Sequence, residues 1–173
     1  MDIEKAIKTA IDYEKRVCDV YARAVDLVQD PTGRKVLATL SEEEKGHVAY
    51  LEHCLATWKE KGTVTAGRLA TAVPAAGSIE AGVRRLEEKL GGRTGGGCGG
   101  QEVEVLRRAL EVEIETGEFY RGLVRVMPPE ARGLFDRFAE IEDGHRAVVA
   151  AEIDSVTRMG FWFDMREFDL EAG

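Results

Sequence analysis

A glutamate followed three residues later by a histidine occurs twice in this chain, as Glu44/His47 and Glu142/His145. Residues three apart lie on one face of a helix, so a carboxylate oxygen and an imidazole nitrogen can reach one point from a single rigid segment. Each pair is preceded by a segment carrying its own inward glutamate, Glu14 before the first and Glu113 before the second. Any fold that turns these faces inward must bury four carboxylates and two imidazoles together.

The apolar periodicity does turn them inward. Ile3, Ile7, Ala10, Glu14, Val17, Tyr21, Val25 and Val28 recur at the three-and-four spacing of a bundle helix, predicting a first helix from residue 2 to about 29. Asp30-Pro31-Thr32-Gly33 predicts a short turn, after which Leu37, Leu40, Glu44, His47, Leu51, Cys54 and Trp58 form a second stripe that Lys61-Gly62 ends. A third stripe holds Val103, Leu106, Leu110, Glu113, Gly117, Tyr120, Val124 and Met127, and Pro128-Pro129 stops it. The fourth begins at Pro129 and carries Leu134, Phe138, Glu142, His145, Val149, Glu152 and Val156 to Met159-Gly160. No segment alternates as a strand would.

The halves repeat. Ala10, Glu14, Tyr21 and Val25 match Ala109, Glu113, Tyr120 and Val124 at a constant offset of 99, and Leu40, Glu44, His47 and Leu51 match Phe138, Glu142, His145 and Val149 at 98. The expected organisation is one all-α domain over residues 1–173. It consists of a helical hairpin over 2–61, a crossover over 62–100, a second hairpin over 101–160 and an aromatic tail over 161–173. Short turns make antiparallel neighbours, so two such hairpins form an antiparallel four-helix bundle with all four stripes facing inward.

The 39-residue crossover is too long for a plain loop. Ser78 is positioned to cap a short helix with Ile79, Val83, Leu86 and Leu90 on one face. Gly91 to Gly100 has seven glycines in ten residues, and a flexible hinge is expected. A phosphate-binding loop is excluded, because no Gly-Lys-Ser/Thr follows and Gln101-Glu102 opens the next helix with acid.

Charge and cysteine usage narrow the functional classes. A formal net charge of −8 opposes nucleic acid and anionic lipid as partners. Cys18, Cys54 and Cys98 are odd in number and never form C-x-x-C, which argues against a disulfide framework and for a reducing, cytoplasmic setting. No run of 18 apolar residues predicts a membrane span.

Burial decides what the glutamates are for. Four ionised carboxylates in a bundle interior each cost several kcal/mol when uncompensated, and they repel one another. Two divalent cations would balance them. The predicted ligand atoms therefore come from Glu14, Glu44, His47, Glu113, Glu142 and His145. This oxygen-rich set with imidazole and no thiolate suits iron, and manganese or zinc are the alternatives. His53 has no stripe or partner and reads as a surface histidine. Cys18 and Gly117 lie one turn after Glu14 and Glu113, and such small residues suggest either close helix packing or space beside the ions.

These residues resemble the rubrerythrin-like members of the ferritin-like diiron carboxylate proteins, over about residues 5–58 and 103–158. The resemblance implies a ferritin-like bundle in which Glu44 and Glu142 bridge two iron ions. Glu14 and His47 would complete one coordination sphere, Glu113 and His145 the other. Tyr21 and Tyr120 resemble the family's tyrosines seven residues beyond a ligand glutamate, expected to hydrogen bond near the site. The implied activity is a diiron oxidoreductase, a peroxidase acting on peroxide or dioxygen. An iron carrier or storage protein with a ferroxidase-like site is the alternative. The family's rubredoxin module is missing from this chain, so electrons would come from a separate donor. Its extra glutamate is replaced by Thr116-Gly117, and the aromatic tail is expected to cover the bundle's own end or a partner, as in a homodimer.

Overall fold

The computed structural model describes residues 2–64, 69–90 and 100–164. These residues form five helices and no strand: α1 (Ile3–Leu27), α2 (Pro31–Lys61), α3 (Ala76–Leu90), α4 (Gln101–Val126) and α5 (Pro129–Arg158). Helix α1 packs against α2 and α4, α5 packs against α4, and α3 lies on α5. The result is an all-helical bundle with the crossover helix on its outside. No helix among the described residues is long and apolar enough to cross a membrane.

Local chemistry sets the helix ends. Asp2 caps α1 by accepting the Lys5 N–H at 2.8 Å. Asp30 caps α2 by accepting from Thr32 at 2.8 Å and Gly33 at 3.0 Å, with Pro31 at the first helical position. The turn is therefore only residues 28–30, and Thr32 and Gly33 belong to α2 instead of the predicted turn. At the other end of α2, Gly62 adopts φ 64°, a conformation that favours glycine. Helix α3 starts two residues before the predicted cap, because the Ser78 N–H already bonds to the Ala75 carbonyl behind Pro74. Ile79 is buried and Val83 packs on the core, as its stripe predicted. The side chains of Leu86 and Leu90 and the glycine-rich residues 91–99 lie outside the described part.

The interior divides into two apolar clusters. One contains Val17, Tyr21, Leu37, Leu40, Leu106 and Val149, and the other Ile7, Ala10, Leu51, Tyr120, Leu134 and Phe138. Along each long helix the chain passes from one cluster to the other at the inward glutamate. The polar residues thus form a band between two apolar plugs that exclude water.

Two segments close over the bundle. Trp162 and Phe163 of the aromatic tail are buried, with the Trp162 Nε1–H donating to Glu102 at 3.1 Å and the Phe163 N–H to Glu152 at 3.1 Å. The described part of the tail thus covers the bundle's own end. The crossover stretch 69–74 runs over α5. Arg137 donates to the Leu69 carbonyl at 3.2 and 3.3 Å, and the Pro74 carbonyl oxygen sits 3.0 Å from where a Cβ on Gly144 would lie.

Candidate metal centre

The four stripe glutamates and two histidines meet between the apolar clusters, each at most 1% exposed. Glu14 comes from α1, Glu44 and His47 from α2, Glu113 from α4, and Glu142 and His145 from α5. Two overlapping groups result. Glu14, Glu44, His47 and Glu142 bring ligand-capable atoms within 4.8 Å of one another, and so do Glu44, Glu113, Glu142 and His145. Glu44 and Glu142 belong to both groups, whereas each terminal glutamate pairs with one histidine. The structure thus brings all six of these side chains together, Glu14 with His47 and Glu113 with His145.

Several of these atoms face one another without satisfying one another. His47 Nδ1 is the exception, hydrogen bonded with Glu44 at 3.1 Å and Glu14 at 3.3 Å. His145 Nδ1 lies 2.6 Å from Glu44 Oε1, yet neither atom makes a hydrogen bond there. Both Glu142 oxygens, Glu113 Oε2 and His47 Nε2 are likewise buried without a hydrogen-bond partner. Native interiors leave few polar atoms in this condition, because each costs about 1–3 kcal/mol. A cluster of them converging from α2, α4 and α5 fits cation binding, and the buried Glu/His groups could hold a metal ion.

The electrostatics point the same way. Burial, then the charge of Glu44, pushes Glu14 up to about 8. Burial also raises Glu113 and pushes Glu142 well above the usual carboxylate range, with Glu14 and Glu44 adding to it. Burial would raise Glu44 too, but His47 and His145 outweigh it and hold that carboxyl well below its ordinary value. Against burial, Glu44 raises both imidazoles. Without metal the cluster therefore takes up protons as its counter-charge, and these are the protons that cations would displace.

The two tyrosines lock the terminal glutamates. Tyr21 of α1 donates to Glu113 Oε1 on α4, and Tyr120 of α4 donates to Glu14 Oε1 on α1. Burial, then the facing glutamate, holds each phenol well above its ordinary value, so both remain donors. The histidine rings stack at 5.4 Å, and Phe138 meets His47 edge-on, which fixes their orientation.

Other expectations divide. His53 is exposed, as expected of a surface histidine. Cys18 and Cys54 are free thiols, and burial followed by Glu44 and Glu14 pushes Cys18 up to about 12, so it carries no thiolate; Cys98 lies outside the described residues. The place a side chain on Gly117 would take is filled by the Arg121 guanidinium, 3.3–3.4 Å from an added Cβ and paired with Asp143 at 2.9 Å. The residue that sequence reasoning missed is Glu43. It joins His47 and His145 in a third group of facing atoms, with Oε1 accepting the Ala72 N–H at 3.0 Å. Comparison of the chain with protein-family models, with curated proteins and with solved structures finds no match.

Proposed function

We propose that this is a ferritin-like, rubrerythrin-like protein of the cytoplasm whose buried cluster holds two iron ions and reduces peroxide or dioxygen. The observation carrying this reading is the pair of overlapping ligand groups that share Glu44 and Glu142. Glu44 and Glu142 would be shared by the two cations, with Glu14 and His47 holding one and Glu113 and His145 the other, a ligand set that would suit iron. When bound, the two irons supply the electrons that reduce an O–O bond.

The chain's own residues do the remaining work. Tyr21 and Tyr120 hold Glu113 and Glu14 through hydroxyls that stay protonated, fixing both terminal carboxylates from the opposite hairpin. The apolar clusters above and below exclude bulk water, which strengthens every interaction inside. Cys18 remains a thiol and holds no charge. Among the described residues Cys18 and Cys54 are single free thiols, and we assign re-reduction of the centre to a separate electron-transfer protein.

The test is steady-state peroxide consumption by iron-loaded protein with a dithionite-reduced mediator, alongside iron counted per chain. Many peroxides per iron at about two irons per chain is the expected result. Uptake of excess iron with one oxidation per ion would mark a carrier instead.

A further inference from the structure

Glu43 lies in the acidic run Glu42-Glu43-Glu44, next to a proposed bridging carboxylate, and its side chain faces the histidines His47 and His145. Its side chain is 15% exposed, and Oε2 is buried without a hydrogen-bond partner. That oxygen lies 4.0 Å from His145 Nε2, which is also buried without a hydrogen-bond partner. The other oxygen holds the Ala72 N–H at 3.0 Å, on the crossover stretch that Arg137 and Gly144 keep against α5.

We infer that Glu43 is a positioning residue that accepts the outer N–H of His145 when metal is bound and so ties that histidine to the crossover segment. This rests on the dinuclear reading above. An imidazole that gives the Nδ1 lone pair to a cation keeps its one remaining proton on Nε2. In His145 that proton is buried, and Glu43 is the acceptor that faces it. A closure of about 1 Å makes a charge-assisted hydrogen bond of ordinary length, which fixes the ring's tautomer and orientation and strengthens its inner nitrogen as a ligand. Because the same carboxylate holds Ala72, loading the centre also tightens the crossover over α5. The sequence gives the second half of the molecule no such device at the matching place: the residue before Glu142 is Ile141, which is buried among apolar side chains.

The experiment uses the full chain loaded with cobalt(II), in wild type, Glu43→Ala and Glu43→Gln. Metal-free helicity by circular dichroism checks that each folds. All three should bind the same number of ions, with Glu43→Ala binding them roughly 10–100-fold more weakly. In its proton spectrum, one solvent-exchangeable, hyperfine-shifted imidazole N–H resonance should be lost through faster exchange. Glu43→Gln, which keeps an acceptor oxygen and the shape, should retain much of both. Cobalt loading should slow hydrogen exchange at the Ala72 amide in wild type and not in Glu43→Ala. Unchanged affinity and an unchanged N–H resonance in folded Glu43→Ala would overturn the inference. So would the loss of one whole ion, which would make Glu43 a direct ligand. A wild type that binds no cobalt would overturn the dinuclear reading itself.

Discussion

The Tyr120 hydroxyl, on α4, donates to the Glu14 carboxylate on α1, across the bundle from its own hairpin. Removing it leaves a fully buried carboxyl oxygen without its donor. Tyr120→Phe should therefore destabilise the metal-free protein by about 1–3 kcal/mol in urea unfolding. The cost should be smaller in metal-loaded protein, where a cation also holds Glu14. An equal cost in both forms would mean that metal does not reach this carboxylate.

The metal-free protein should lose stability as pH rises. Glu14 is raised from an ordinary 4.5 to about 8 in the fold, so folding takes up a proton between those values. Stability from such a group is present below the window and lost as pH climbs through it. Glu113 and Glu142, also raised from 4.5, act in the same direction. The histidines, raised from 6.5, contribute below that value and lose their contribution as pH passes their folded values. Within the cluster Glu44 alone is lowered, and its contribution is lost only as pH falls below 4.5. The melting temperature of metal-free protein should thus be lower at about pH 8.5 than at about pH 5.5, whereas metal loading should remove or reverse the trend. A metal-free protein most stable at the alkaline end would contradict the buried cluster.

Sharing predicts unequal losses of metal. Glu14 belongs to one of the two carboxylate-rich groups, and Glu44 to both. Metal analysis of protein purified without oxygen should find about two ions per wild-type chain and about one in Glu14→Ala. Glu44→Ala should hold fewer than Glu14→Ala. Equal content in all three proteins would remove these residues from the ligand set.

Glycine to alanine should have opposite signs at two buried helical positions. At Gly33 an added Cβ would come 2.5 Å from two ring carbons of Trp162, so Gly33→Ala should cost about 1–3 kcal/mol and shift the tryptophan emission to the red. At Gly117 the nearest atoms to the added one are the far end of the flexible Arg121 side chain and, at an ordinary 3.6 Å, Glu142 Cβ. The Arg121–Asp143 pair is more than a third exposed and worth little. Gly117→Ala should therefore stabilise by up to about 1 kcal/mol through helix propensity. Thermal unfolding of the two variants checks both signs.

Helical periodicity made much of this legible. A charged residue set within an apolar stripe reports burial directly, so Glu14, Glu44, Glu113 and Glu142 were recognisable wherever their apolar neighbours were. Glu43 was not, because its neighbours in sequence are acidic and its burial comes from a crossover segment and a histidine roughly 30 and 100 residues away. Gly33 read as a turn residue for the same reason. The need for it is set by Trp162, and no local pattern records which aromatic ring will lie on which helix. Gly117 suggested open space because a sequence shows the absence of a side chain but not the arginine that lies over it.

The Glu102 carboxylate accepts Trp162 Nε1–H on one oxygen, and on the other the N–H groups of Gln29 at 3.0 Å and Asp30 at 3.3 Å. It joins the turn between the first two helices, the start of α4 and the tail. During synthesis the turn leaves the ribosome long before the indole does. That end of the bundle is consequently completed only once translation has passed Trp162.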